Sequence, residues 1–259
     1  MGFIGEEKEL AGYAKHLRCV ECRHSLGVGN AEIVAAMNEA DTISLCINRI
    51  LAVFHDDCEI LVVTGGTDAT ADIVADISLK HPNVRLIQNA NDRGKGHAIK
   101  VGISHAKAPI HAQIDADLQF MPEELPRLIQ PIENGQAHVV LGSRFTRGSK
   151  RLPGSTPFIR TLGNKAVSAF ASVLFLQRMT DVQAGMKAWS ADAIEIIQLA
   201  SDNYSYEVVI PAKGLLKGLK VVDMPITTDS RQGGVTNVQV FKAGLALLRD
   251  ITAFRLGIK

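Results

Sequence analysis

Several things are missing from this chain of 259 residues, and each absence removes a class of function. No apolar run reaches the roughly 18 residues that span a bilayer; the best, "AVSAFASVLFL" (166–176), stops at Gln177 and Arg178. The opening "MGFIGEEKEL" carries acidic residues where a secretory leader needs a basic region and then an apolar one. A soluble or peripheral, cytoplasmic protein is therefore expected. Charge of either sign is not in excess: the net charge is +1, which gives no general electrostatic case for nucleic acid. Four cysteines are too few to staple a chain this long. Cys19 and Cys22 sit in "HLRCVECRH" between His16 and His24, but structural zinc sites draw ligand pairs from separated turns. Residues 1–30 are expected to form a polar extension with reduced thiols. No Pro/Gly/Ser-rich linker, internal repeat or low-complexity tract divides the rest.

What is present is an alternation. "AEIVAA" (31–36), "EILVV" (59–63), "VRLIQ" (84–88), "IHAQI" (110–114) and "AHVVLGS" (137–143) read as short buried strands. Between them, "ADTISLCINRILAVF" and "GHAIKVGISHA" have helical spacing, and Asp68 or Thr67 is placed to cap a helix running to Lys80. Pro122, Glu123 and Glu124 suit a first helical turn. Further on, "RTLGNKAVSAFASVLFLQ" and "YEVVIPAKGLLKG" predict helices, and "KVVDMPIT" (220–227) predicts a strand. Strands alternating with helices predict an α/β fold of three layers, α/β/α, with a mainly parallel central sheet. Ligands bind such sheets at the carboxyl ends of the strands. That rim carries "NEAD", "TGGTDAT", "NDRGKG", "DADLQF" and "GSRFTRG", and "TRGSKRLPGSTP" (146–157) predicts a mobile segment over it.

Most familiar site motifs fail on spacing. "GVGNAE" (27–32) precedes the first strand instead of following it, and "GKG" is too short for a phosphate loop. "DADLQF" lacks the turn glycine of a calcium loop, with Phe120 in its place. There is no G-x-S-x-G and no H-E-x-x-H. A carboxylate pair at the end of a strand remains. Two like charges that close need a cation between them or water around them. Magnesium or manganese takes one or two protein carboxylates and fills its other positions with water and phosphate oxygens. Asp115, Asp117 and Gln119 are thus the candidate metal ligands.

In order along the chain, "AAMNEADTI", "EILVVTGGTDAT", "NDRGKGHAIKVGI", "DADLQFMPEELPRLI", "VVLGSR", "DVQAGMKAWS", "YEVVIPAKGLLKGLKVVDMPI" and "RQGG" resemble the blocks of a family-2 glycosyltransferase with the GT-A fold. The nearest resemblance is to dolichyl- or polyprenyl-phosphate mannose and glucose synthases. It implies a GT-A domain over 31–240, followed by an amphipathic helix at 241–259. It also implies a metal-dependent, inverting transfer of mannose or glucose from GDP-mannose or UDP-glucose to a polyprenyl or dolichyl phosphate. Carried over by position, Asn38, Glu39, Thr64, Asp68, Lys95 and Asp115 would bind the nucleotide sugar. Asp115, Asp117 and Gln119 would hold Mg²⁺ or Mn²⁺. Asp117, Arg144 and Arg231 would be catalytic, and Arg160, Asn164 and Arg231 would hold the acceptor phosphate.

The arginines have a physical rationale: a lipid phosphate arrives ionised and needs cationic clamps, whereas a hydroxyl acceptor needs a general base. Taken alone, Arg160 and Arg231 also read as solvated surface residues. Asp181 and Glu207 read either as functional carboxylates or as residues at helix starts. The stripe Phe241, Leu245, Leu248 and Ile251 suits core packing or a membrane surface. One block departs from the family: V-D-D-G-S-T-D-G-T is "VVTGGTDAT" here, with Thr64 in place of an aspartate. That departure keeps open nucleotide-sugar binding without turnover; among enzymes, transfer to a soluble hydroxyl acceptor is the other alternative.

Overall fold

In the computed structural model the described residues are 29–199, 201–202, 205–233 and 240–256. Most of the polar extension, with His16, Cys19, Cys22 and His24, lies outside them.

The strands are β1 (Asn30–Ala35), β2 (Cys58–Thr64), β3 (Val84–Gln88), β4 (Ile110–Asp115), β5 (Val139–Ser143), β6 (Lys150–Arg151), β7 (Lys187–Ser190), β8 (Val221–Pro225) and β9 (Thr227–Thr228). The helices are α1 (Ile43–Phe54), α2 (Thr70–Ser78), α3 (Lys95–His105), α4 (Leu125–Glu133), α5 (Phe158–Phe175), α6 (Ala191–Ile197), α7 (Tyr206–Leu216) and α8 (Val240–Arg255). Seven strands form one sheet in the order β3-β2-β1-β4-β7-β5-β8, and β6 pairs with β9 apart from it.

The apolar runs explain why the sheet is covered on both faces. Side chains alternate along a strand, so an unbroken run must bury both sets. Ile60 and Val62 of β2 face one core with Val34, Ile47 and Ile50, while Leu61 and Val63 face the other with Ile33, Ile99 and Trp189. Helices α1, α2 and α4 cover the first face; α3 and α5 to α8 cover the second.

The predicted parallel strands are all found, but β7 was not foreseen. It runs antiparallel between β4 and β5, with His111 opposite Trp189 and Val139 opposite the same residue. Four residues with a polar residue at each end give too short a pattern to read as a strand. Helix α6 directly follows β7 and was missed with it. The helix expected to run to Lys80 ends at Ser78, and the turn at Pro122–Glu124 is a 3-10 helix leading into α4. In α8, Leu247, Ile251 and Phe254 are buried, and Arg255 Nε donates to the Leu174 carbonyl at 3.0 Å. The side chains of Phe241 and Leu245 lie outside the described residues.

One buried acid gives a stability test independent of function. Glu32 on β1 is fully buried, accepts one hydrogen bond from Asn30 Nδ2 at 2.6 Å, and has no partner for its other oxygen. Burial pushes its pKa up to about 8, against the opposing Asn30 bond. A raised folded-state pKa means the native protein holds a proton that the unfolded chain has released. Stability from this group therefore falls as pH rises toward 8. Glu32→Gln has no such proton to lose. Relative to wild type it should gain about 2 kcal/mol between pH 6 and pH 7.5. Urea unfolding at the two pH values checks this; parallel pH profiles would contradict it.

Candidate active site

The strand order reverses between β1 and β4, and a cavity of about 590 Å³ opens at the carboxyl ends there. Ala35 and Asp115, the last residues of these paired strands, are register partners and both line it. This is where an open α/β sheet leaves room for a ligand.

The acidic turn forms one wall. Leu118 adopts a left-handed conformation, φ 59°, although it is a buried leucine. Such a backbone costs a non-glycine residue of order 1 kcal/mol and persists where surrounding contacts enforce it. Those contacts are present. Asp117 Oδ1 accepts from the Gln119 N–H at 3.0 Å, and Gln119 Nε2 donates to the Ser155 carbonyl at 2.8 Å. The 229–232 segment bonds across the turn through Asp229 N–H to Gln119 O and Gln232 N–H to Asp117 O. That backbone pairing carries Arg231 over the carboxylates. Its Nη2 lies 2.6 Å from Glu39 Oε1, and its Nε lies 3.5 Å from Asp117 Oδ2.

Lys95 begins α3 and reaches back into the same space. Its Nζ lies 2.7 Å from Asp115 Oδ1 and 3.0 Å from Glu207 Oε1. Burial disfavours the ammonium, but Asp115, Tyr206 and Glu207 together hold its pKa well above the ordinary lysine value. Burial raises Asp115, and neighbouring Asp117 raises it further, against the pull of Lys95. Burial likewise raises Asp117, against the Gln119 bond, Arg231 and Lys95. Glu207 is the exception, since Lys95 and Lys187 outweigh its burial and lower it. Two of the site's carboxylates are thus short of positive charge.

The expected site residues divide by position. Glu39, Lys95, Asp115, Asp117, Gln119, Arg160 and Arg231 line the cavity. Asn38, Thr64, Asp68, Arg144 and Asn164 do not. Asn38 and Asp68 instead knit two rim loops together. Asn38 Oδ1 accepts from the Thr67 and Asp68 N–H groups, and Asp68 accepts from Ala40 N–H and from Thr70. Gly66 permits this approach, because a Cβ there would lie 2.8 Å from the Asn38 nitrogen. Asp68 therefore caps the start of α2 from two residues away, as its position suggested. Thr64 is buried at the end of β2 and accepts from the Gly66 N–H at 3.3 Å. Asn164 sits one turn beyond Arg160 on α5.

Arg144 is held elsewhere. Its Nε and Nη2 donate to the two oxygens of Asp181 at 2.6 and 2.8 Å, and its backbone N–H donates to Asp181 Oδ2 at 3.1 Å. Both residues are buried, so Asp181 is an arginine partner and not a helix cap.

Three neighbours escaped the sequence reading. Asp92 lines the cavity and accepts from Asn89 Nδ2 and from the Gly94 N–H; the "NDRGKG" rim loop was the available signal. Lys187 is fully buried on β7, donates to the Ala184 carbonyl, and is pushed down to about 8 by burial. A lysine inside the apolar "GMKAW" run was its signal. Gly185 packs directly on the Asp115 carboxylate, and its carbonyl accepts from Gln113 Nε2 at 3.0 Å. No short-range pattern marks that contact.

Comparison with known proteins gives the chain a family and a fold. The model of glycosyl transferase family 2 matches residues 33–169, more than half of the chain. The low-salt glycan biosynthesis hexosyltransferase Agl6 of Haloferax volcanii is 27% identical over 216 residues, covering 82% of this chain and 50% of its own. This chain thus spans half the length of that relative. The undecaprenyl-phosphate mannosyltransferase of Micrococcus luteus is 26% identical over 242 residues, covering 87% of this chain and 98% of its own. Among solved structures, glucosyl-3-phosphoglycerate synthase of Mycobacterium tuberculosis with Mn²⁺, UDP and glucosyl-3-phosphoglycerate superposes with a TM-score of 0.66. It is 20% identical, over 92% of this chain and 81% of that one, so the likeness is one of fold, which is GT-A. With the family model spanning β1 to the middle of α5 and the acidic turn at the strand-order reversal, this chain belongs to glycosyl transferase family 2.

Proposed function

We propose that the chain moves a hexose, mannose or glucose, from a nucleotide-diphosphate sugar to a polyprenyl or dolichyl phosphate, with inversion and with Mg²⁺ or Mn²⁺. One observation carries this reading. Asp115 and Asp117 sit side by side in a cavity whose cationic lining residues are Lys95, Arg160 and Arg231. The undecaprenyl-phosphate mannosyltransferase among the relatives supports the choice of acceptor.

The residues fit a divalent ion. Among the described residues no three His, Cys, Asp or Glu side chains converge on one point. A site sharing its ion with a diphosphate does not require three, because one or two carboxylates suffice. Gly185 lets the Asp115 carboxylate lie directly against its backbone, in a position that a Cβ would deny it. Burial opposes charge on both aspartates, so a cation there would favour their ionised forms. Asp115 and Asp117, with the Gln119 side-chain oxygen, would hold the ion. When bound it supplies charge stabilisation for the departing nucleotide diphosphate.

The protein groups supply the remainder. Lys95 fixes the Asp115 carboxylate and brings a positive charge to the diphosphate side. Glu39 and the loop knitted by Asn38 and Asp68 bound the nucleotide end. Arg160 orients the acceptor phosphate, and Arg231 joins it once released from Glu39. An oxygen of that phosphate forms a bond to the anomeric carbon from the face opposite the diphosphate. The old carbon–oxygen bond breaks and its electron pair leaves with the nucleotide. The acceptor is already ionised, so no general base has to be found. Arg144, engaged by Asp181, positions the wall and does not touch phosphate.

The test is transfer from labelled GDP-mannose or UDP-glucose to detergent-solubilised polyprenyl phosphate, with Mn²⁺ and then with chelator. Labelled glycolipid that disappears on chelation is expected. Turnover on a soluble sugar alone would overturn the acceptor. Metal-dependent nucleotide binding without turnover on any acceptor would favour a binding protein, the reading to which Thr64 points.

A further inference from the structure

Among the described residues, nothing covers one apolar face of helix α5. Phe158, Ile159, Leu162, Val173 and Leu176 at its C-cap are 81%, 76%, 60%, 76% and 88% exposed, and Phe170 is also exposed. With the exposed Ala166 and Ala169 they occupy about a third of the helix circumference, and Lys165 stands at the edge. The opposite side, through Val167 and Ala171, packs into the core. An amphipathic helix ordinarily turns its apolar stripe inward; this one has apolar residues on both sides.

Two further observations identify what covers it. The first is charge. From Arg144 to Thr180 the chain has seven Lys and Arg residues and no Asp or Glu. Arg147, Lys150, Arg151, Lys165 and Arg178 of that stretch are exposed. The second is continuity with the cavity. Pro157, one residue before α5, and Arg160 in its first turn both line the cavity. The uncovered face thus begins at the mouth of the site. No helix among the described residues is long and apolar enough to cross a membrane.

We infer that α5 and the 146–157 segment before it form a docking surface for an anionic bilayer. The helix lies in the interface with Leu162, Val173 and Leu176 inserted and the flanking cations against lipid headgroups. The inference rests on the lipid-phosphate reading of the site. Apolar insertion and attraction to anionic lipid act together in such helices, and neither alone anchors firmly. Lying flat, α5 holds the cavity mouth at headgroup level. An acceptor phosphate can then reach Arg160 while its polyprenyl chain stays in the bilayer. The described stripe residues of α8, by contrast, point into the core.

The test uses the full chain and vesicles of phosphatidylglycerol or of phosphatidylcholine, with no polyprenyl phosphate and no nucleotide. Co-sedimentation with phosphatidylglycerol, weak with phosphatidylcholine, is expected. The triple variant Leu162→Gln/Val173→Gln/Leu176→Gln should lower the partition coefficient at least tenfold, on the order expected for losing three inserted side chains. These side chains are exposed, so its melting temperature should match wild type. Equal sedimentation of wild type and variant would overturn the proposal. So would failure of wild type to bind vesicles, including the case where light scattering shows a dimer that the variant breaks, making α5 a contact between copies. Vesicle binding is read separately from transfer in detergent. Docking without transfer would sink the proposed reaction, and transfer without docking would sink this surface.

Discussion

Gly185→Ala is expected to lower transfer about a hundredfold while the protein stays folded. A Cβ at this position would fall on Oδ2 of Asp115, 2.8 Å from its Cγ and 3.1 Å from Phe120 Cε2. Asp115 has little freedom to retreat, because Lys95 holds Oδ1 at 2.7 Å and Glu207 holds Lys95. The glycine backbone is pinned as well, since its carbonyl accepts from Gln113 Nε2, which also bonds the Tyr206 hydroxyl. Relief must come from a shift of the carboxylate by a sizeable fraction of an ångström. Catalytic geometry tolerates such a shift poorly, while the overpacking itself costs about 1–3 kcal/mol of stability. Calorimetric titration with Mn²⁺ and nucleotide should show the loss even where turnover is undetectable. Gly163→Ala is the control: a Cβ there meets nothing within 4 Å, and it should stabilise α5 by about 1 kcal/mol. Undiminished metal binding by the Gly185 variant would mean that Asp115 is not a ligand held in place by this contact.

Asp181→Ala should cost about 3–5 kcal/mol, the typical penalty for leaving a buried charge without its partner. Asp181 is fully buried and receives three hydrogen bonds from Arg144, two from the guanidinium and one from the backbone. Truncation strands the guanidinium where water cannot readily reach it. Replacing both residues tests whether desolvation is the cause. Arg144→Met/Asp181→Leu removes both charges and should recover most of the loss, because a buried ion pair is often no more stabilising than apolar groups of similar volume. Denaturant unfolding of the wild type and the two variants makes the comparison. A single-variant cost under about 1 kcal/mol would show that the pair is solvated like a surface bridge.

Much of the fold was legible from neighbours in sequence. The unbroken runs "EILVV" and "VVLGS" predict strands buried on both faces, and the helical spacing between them predicts the crossovers. Together these place "DADLQF", "NDRGKG" and "NEAD" on one rim. What escaped were features with weak local patterns. The four residues of β7 and the seven of α6 are too short for periodicity to register.

The sequence by itself determined the layered α/β architecture, the edge at which the cavity opens and the carboxylate pair within it. These follow from short-range rules: side-chain alternation, helical spacing and the charges of adjacent residues. Only the tertiary structure decided the partners. Arg231 meets Glu39 from 192 positions away, and Lys95 meets Glu207 from 112. Arg144 was expected at a phosphate and is clasped by Asp181; Asn38 was expected in the pocket and ties one loop to another. Such pairings depend on where the crossovers and the antiparallel β7 bring distant segments together. The same reason governs α5, whose pattern shows apolar residues but not which of its faces the other described residues leave bare.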